Sequence, residues 1–556
     1  MNIKYNGQDY VFEDFRPIID AMGDIIKDEE RTGKEIIACR YNNEVKSLRH
    51  PINKNGEIEF IDITDADGRA IYIRGLLFLM GKAFAEVYPD AKLSVNYQLS
   101  NAMYCEVDNM KVTHEMIGAV KAKMLEYVAK DIPITKVSMS KEEAAEFYAK
   151  EETLRGKLQM DAKYKDVVSL YYCEEYYNYF YGSMPLSTGF AKRFDVNKYH
   201  AGFLVRYPSK SYPYAMGNYK ASLKLLSALE EYDNIYKLLK IDTVYRLNRK
   251  IRENKAKDCI ILAEALHEKK IAEIANKISE RKNIRMVLIA GPSSSGKTTF
   301  AGKLGTQLRL NGFKPVTISV DNYFVEREDT PRDEKGNYDF ECIEALDLDL
   351  FNDHLVKLLN GEEIEVPTFD FQTGHKKYLG NKMRLEDDEI LVIEGIHCMN
   401  DRLTSAIPSE NKFKVYISDL TVLNVDYYNR ISTTDTRLIR RIVRDYKYRG
   451  YSALQTLKTW YSVNRGEQKY IFPFQDKADC MFNSSLIYEL NVLKKYVVPL
   501  LKEIPNTERE YSEARRLTAM LDYFEDIEDR YVPNNSLLRE FIGGSIYHDD
   551  HDKEMN

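Results

Sequence analysis

The sequence predicts an α/β fold in its second half, a parallel sheet flanked by helices, preceded by two α+β domains. Three observations predict it. From about residue 284, apolar strand-like runs alternate with helical ones, a pattern that covers both faces of a parallel sheet with helices. The stretch "MVLIAGPSSSGKTTF" (286–300) joins one such strand to one such helix through a glycine-bounded loop. The first 210 residues break instead into short β-like runs, Asn/Gly turns and separate helical segments, as α+β units do.

Residues 1–66 carry the runs "EIIACRYNNEVKSL" and "GEIEFIDI" and read as a small α+β unit. From 67 the pattern turns helical, in "IYIRGLLFLMGKAFAEVYPDA" and "THEMIGAVKAKMLEYVAKD", and becomes strand-like again near 167–206, so residues 67–210 form a second unit. Within it the tyrosine-rich "YYCEEYYNYFYG" (171–182) reads as a half-buried strand and turn, where aromatic residues pack well. Residues 211–283 are dominated by helix-period segments whose charged faces suggest surface helices linking two domains.

Residues 284–505 then run strand "RMVLIAG", helix "TTFAGKLGTQLRLNG", strand "PVTISVD", helix "LDLFNDHLVKLLNG", strand "EILVIEG" and strand "FKVYIS", followed by a long helical region. Residues 506–556 are a helical extension and polar tail. The tail places His548, Asp549, Asp550 and His551 together; a disordered polar terminus is the expectation there rather than a metal site.

A chain of 556 residues exceeds what one hydrophobic core supports. Its 44% hydrophobic and 30% charged residues, with no apolar run of bilayer length, are those of a soluble, non-membrane protein. The N-terminus shows no basic-then-apolar leader, so a cytoplasmic location is expected. Seven cysteines without a C-x-x-C pair predict buried thiols, neither a disulfide framework nor a zinc site. A net charge of −7 gives no general attraction to nucleic acid.

Gly291, Gly296, Lys297 and Thr298 fit G-x-x-x-x-G-K-[ST]. Between a strand and a helix such a loop aims backbone N–H groups at phosphate oxygens. The candidate nucleotide contacts are Gly291, Ser293, Ser294, Ser295, Gly296, Lys297, Thr298 and Thr299. Lys297 would reach the β/γ-phosphates and Thr298 a Mg²⁺ ion. Glu394 ends the strand "EILVIEG", at the carboxyl edge where open α/β sheets bind ligands, and is the second metal candidate. Asp321 ends "PVTISVD" and is the candidate base for an attacking hydroxyl. "TDTRLIRRIVRDYKYRG" (434–450) brings Arg437, Arg440, Arg441, Arg444 and Arg449 onto a basic helix. Downstream of such a loop it reads as a mobile lid that covers the transferred phosphoryl group.

Taken in order, "GPSSSGKTT", "SVDNYF", "GNYDFECIEALD", "VPTFDFQTGHK", "VIEG" and "DTRLIRRIVRDYKYRG" resemble the uridine kinase branch of the uridine kinase and phosphoribulokinase family, over residues 284 to about 500. The resemblance implies a P-loop kinase fold, ATP, Mg²⁺ and transfer of the γ-phosphate to the 5′-hydroxyl of a nucleoside. It implies a catalytic role for Asp321, which joins Lys297, Arg441 and Arg444 as the candidate catalytic residues. It implies acceptor contacts from Asp321, Glu341, Phe369, His375 and Arg441. Here Glu341 stands for the family's ribose-gripping aspartate and Phe369 for its tyrosine, while Gly374, next to His375, falls where the family reads the base with histidine. Tyr451 and Thr459 replace an arginine and a glutamine. The base-reading contacts are therefore the altered ones, and the acceptor stays open.

"IIACRYNNEVKSLRHPINKNGEIEFIDITDADGR" resembles the TGS domain of threonyl-tRNA synthetases, and "LLFLMGKAFAEVYPDAKLSV" the start of the editing domain that follows it. That domain's metal and hydrolytic residues correspond here to Arg74, Phe78, Ser187 and Ala191, none of which forms a zinc set. The resemblance implies a binding or regulatory module with possible RNA contact. The reading that follows is a Mg·ATP-dependent nucleoside kinase. A kinase of another sugar or polyol, and a nucleotide-switched, RNA-associated regulator, are the alternatives; the chain lacks the guanine-reading N-K-x-D.

Overall fold

The computed structural model describes residues 1–149, 167–219, 222–333, 336–370 and 373–547. The histidine and aspartate pairs of the tail, 548–551, lie outside the described residues.

The chain opens with a five-stranded mixed sheet in which Asn2–Tyr5 pairs in parallel with Gly56–Asp62 and the remaining pairings are antiparallel. Alternation in these strands sends Ile3, Tyr5, Cys39, Tyr41 and Ile58 into one small core with Ile18 and Ile26. Asp65 then caps the helix Ala66–Val87 by accepting from the Asp67 N–H. This helix is apolar on nearly all sides, because it is enclosed: Leu76, Phe78, Leu79, Met80, Ala83 and Phe84 meet a four-stranded antiparallel sheet through Leu93, Val95, Cys105 and Phe203. The tyrosine-rich stretch forms the expected strand and turn, Val167–Cys173 against Tyr176–Tyr179, with Glu174 left-handed in the turn at φ 53°. Phe78 is packed edge-on to Tyr176, Ala191 is buried, Ser187 Oγ donates to Asp131, and Arg74 donates to the Ser183 carbonyl.

In the second half, five parallel strands stand in the order Lys314–Ser319, Glu389–Glu394, Met286–Ala290, Lys412–Ser418, Cys480–Asn483. The central strand is buried throughout. Its side chains alternate between two cores, Val287 and Ile289 on one face, Met286, Leu288 and Ala290 on the other, as a doubly covered parallel sheet requires. The edge strand Cys480–Asn483 escapes a reading of the sequence. Its four residues sit within a helical region, too short a run to show a period of two.

The helices Leu223–Leu239, Val244–Arg252 and Ala256–Ser279 have charged outer faces, but their inner faces carry Leu226, Leu229, Leu247, Ile271, Ile274 and Ile278 into the same core as Phe300, Leu304 and the sheet. The halves are joined by backbone as well as side chains. Val95 N–H donates to the Tyr427 carbonyl at 2.8 Å, and Asn424 Nδ2 donates to the Val95 carbonyl at 3.0 Å. No helix among the described residues is long and apolar enough to cross a membrane.

Candidate active site

At the carboxyl edge of the parallel sheet lies a cavity of about 1840 Å³ lined by the loop after Met286–Ala290, by Asp321 and Glu394 at the ends of neighbouring strands, and by the arginine-bearing helix Thr433–Arg449. The loop turns through Ser294 at φ 59° and Gly296 at φ 85° before the helix Lys297–Leu310 begins. Positive φ at a serine is costly and marks a shape imposed by its surroundings. Lys297 Nζ lies over the loop, donating to the Gly291 and Pro292 carbonyls at 3.2 and 3.4 Å. The hydroxyls of Ser294 and Ser295 are buried and have no hydrogen-bond partner among the described residues, so they are polar groups at hand for an anion. Thr298 is exposed to the cavity, whereas Thr299 is buried.

The five arginines divide into two sets. Arg437 and Arg440 are 1% and 0% exposed and belong to the foundation of the loop. Arg437 makes a two-pronged ion pair with Glu467 at 2.5 and 2.6 Å, and Glu467 also accepts the Ser293 N–H at 2.9 Å. Arg440 pairs with Glu489 at 2.6 Å and donates to the Ser484 carbonyl. Both guanidiniums reach loop carbonyls, Arg437 that of Ser293 and Arg440 that of Ser294. The expectation that all five guanidiniums cover the phosphoryl group is corrected on this point: Arg437 and Arg440 are buried in ion pairs beneath the loop.

Arg441, Arg444 and Arg449 are the cavity set. All three lean on the single buried carboxylate of Asp445, at 3.2, 2.8 and 3.3 Å. Three cations on one anion leave net positive charge facing the cavity, which attracts phosphate. Burial and the neighbouring Arg444 together push the Arg449 guanidinium down to about 10. Arg441 Nη1 also donates to Ser293 Oγ at 2.7 Å.

Asp321 and Glu394 are close enough to influence each other. Surrounding protein mass raises the Asp321 carboxyl above the ordinary range, opposed by Lys297, Arg449 and Arg444. Its side chain is nonetheless open to the cavity, and water entering there moderates the rise. Glu394 is buried and accepts from Ser319 Oγ at 2.8 Å; burial and the Asp321 charge lift it to about 7.

Glu341, Phe369, Tyr451 and Thr459 line the same cavity. Gly466 brings Glu341 against the helix Ala453–Tyr470: a Cβ at that glycine would fall 2.4 Å from Glu341 Cβ. Burial, with Glu467 nearby, raises Glu341 to about 7. His375 is not brought in. It is exposed, with Nδ1 2.8 Å from Glu326, and Arg327 instead fills the space beside Gly374 and lines the cavity. The hairpin Thr368–Asp370 with His375–Lys377 explains this, since register alternation sends Phe369 and His375 to different surroundings.

Three groups in or under the cavity escaped the sequence reading: Glu467, Arg327 and Lys210. The signal for the first was Gly466, a helix-interior glycine that costs about 1 kcal/mol and so asks for a packing reason. Lys210 comes from the first half of the chain. It reaches the cavity with Ser211, its ammonium 4.5 Å from the Tyr461 ring centre, and no local pattern marks it.

This site on this sheet defines a phosphoryl-transfer enzyme. Residues 286–488 match the model of the Phosphoribulokinase / Uridine kinase family, and this half of the chain is an ATP-dependent kinase domain. A uridine kinase of Halobacterium salinarum is 28% identical over 192 residues, 34% of this chain and 76% of the relative. A uridine kinase of Ureaplasma urealyticum is 26% identical over 215 residues, 38% of this chain and 95% of the relative. A Bacillus stearothermophilus structure described as "a Possible Uridine Kinase" aligns at TM-score 0.26 and 18% identity, covering 38% of this chain and all of that one (100%).

Proposed function

We propose that the protein transfers the γ-phosphate of Mg·ATP to the 5′-hydroxyl of a nucleoside. The observation that carries the reading is the placement of Asp321 in one cavity with Lys297 and the cationic set Arg441, Arg444 and Arg449. Asp321 takes the proton of the attacking hydroxyl, and the cations stabilise charge on the transferred group. The relatives named uridine kinase favour a nucleoside acceptor. Thr298 and Glu394 suit Mg²⁺, a hard cation that needs only one or two protein oxygens beside substrate phosphates; bound there, it neutralises phosphate charge. Residues 1–210 we read as a TGS- and editing-like module, on the stretches quoted above; loss of tRNA binding by that module at every salt concentration would remove its RNA role.

The reading is tested by ADP release with ATP and a panel of nucleosides, sugars and polyols. Uridine or cytidine is expected to raise turnover; no acceptor above the ATP-only rate would reject the kinase assignment. Trp460 fluorescence is expected to report acceptor binding through Arg441, which lines the cavity and lies 6.0 Å from its ring centre.

Glu341 gives a pH dependence. Its ionised form is disfavoured until about pH 7, and only the ionised form accepts two hydroxyl hydrogen bonds from a ribose. Acceptor KM is therefore expected to fall as pH rises through about 7, and Glu341→Gln to flatten the profile. A wild-type KM constant from pH 6 to 8 would exclude Glu341 as the ribose contact. Lys210→Ala is expected to raise acceptor KM several-fold with ATP KM unchanged, measured by the same ADP assay.

A further inference from the structure

The C-terminal segment lies across the loop and the helix it opens. The Asn535 carbonyl accepts from Lys303 Nζ at 2.9 Å. Leu537 covers Gly296, where a Cβ would lie 2.4 Å from Leu537 Cδ2, and the Tyr547 ring covers Gly302 at 2.6 Å in the same sense. On the other side, Phe541 lies 5.1 Å from the Arg440 guanidinium, and the Ile542 carbonyl accepts from Lys447 Nζ at 2.7 Å.

Between these clamps Glu540 reaches the first turn of the loop's helix. Its Oε2 accepts the Thr299 N–H at 3.2 Å and the Thr299 hydroxyl at 2.8 Å. Glu540 lines the same cavity as Lys297, Thr298 and Asp321. A first-turn N–H with an adjacent hydroxyl, at the positive end of a helix, is an anion receptor. In a loop of this type, such donors cradle the α- and β-phosphates of a nucleotide. A carboxylate and a phosphate oxygen use the same hydrogens and carry the same sign of charge.

We propose that Glu540 is an internal competitor for the donor nucleotide: it holds the Thr299 donors, and the triphosphate binds by displacing it. The proposal rests on the reading of the loop as the ATP site. Two consequences follow. Glu540 sets donor affinity, and donor occupancy loosens the segment 536–547, which couples the filled site to the C-terminal surface. Were Glu540 instead an aid to donor binding, its removal would act with the opposite sign.

The test uses the full chain. Glu540→Gln keeps the shape and removes the charge, and is expected to tighten ATP binding about tenfold by calorimetry; an unchanged or weaker Kd overturns the proposal. Lys297→Ala serves as the reference. If the wild type binds ATP and Lys297→Ala does not, the loop is the ATP site and the Glu540→Gln result bears on Glu540 alone. A measurement on the unaltered protein stands beside it: saturating ADP is expected to speed hydrogen–deuterium exchange at the Gly543 and Ile546 amides, which now donate to the Arg539 and Asn534 carbonyls. Slower or unchanged exchange there overturns displacement.

Discussion

Asp321→Asn is expected to lower kcat by about two orders of magnitude or more while leaving ATP affinity within a few-fold of wild type. The amide keeps the size and much of the hydrogen-bonding shape of the carboxylate, so the loop and Lys297 still meet the donor. What is lost is the acceptor for the hydroxyl proton. The cations Lys297, Arg449 and Arg444 oppose the burial that raises this carboxyl, favouring the ionised form that accepts a proton. The decisive measurement pairs initial-rate kinetics with calorimetric ATP binding. A kcat near wild type would reject the general-base role, and a lost ATP affinity would show that Asp321 serves the donor instead.

Arg437→Met is expected to destabilise the protein by about 3–5 kcal/mol, because it leaves Glu467 charged and buried without its partner. Glu467 is 0% exposed; water cannot take the place of the guanidinium. The same substitution removes one support of the loop, since Glu467 holds the Ser293 N–H and Arg437 the Ser293 carbonyl. Chemical unfolding of this variant should show the loss, and the double variant Arg437→Met with Glu467→Leu should recover a large part of it, the buried charge having gone. Equal stabilities for Arg437→Met and wild type would mean that the ion pair is solvated and the helix free to move. Both variants should weaken ATP binding, by loosening the loop rather than by removing a ligand contact.

These two predictions differ in how far the sequence alone could reach them. Asp321 was legible because its position is set locally: a strand of apolar residues ends, the chain leaves the sheet, and the next carboxylate falls at the edge where ligands bind. Glu394 was legible on the same grounds, and Lys297 and Thr298 through the fixed spacing of the loop. The buried pairs were not. "TDTRLIRRIVRDYKYRG" shows five arginines at helical spacing, and spacing identifies faces without saying which face is buried. That depends on Glu467 and Glu489, which lie on other helices, 30 and 49 residues further along the chain. His375 illustrates the converse. Its neighbour Gly374 matched a family position, but the hairpin register and the Arg327 side chain decided that the cavity receives a guanidinium there.

By itself, then, the sequence determined four of the five strands of the parallel sheet, the phosphate loop and the residues at the strand ends, since strand alternation, loop spacing and the strand-to-helix turn are local properties of consecutive residues. Only the tertiary structure decided which arginines face the cavity, that Lys210 crosses from the first half of the chain to line it, and that Glu540 comes back to the loop from 241 residues away. Each of these is a meeting of charges distant in sequence. Their pairing is set by which surfaces become desolvated together when the cores close, a condition no stretch of consecutive residues contains.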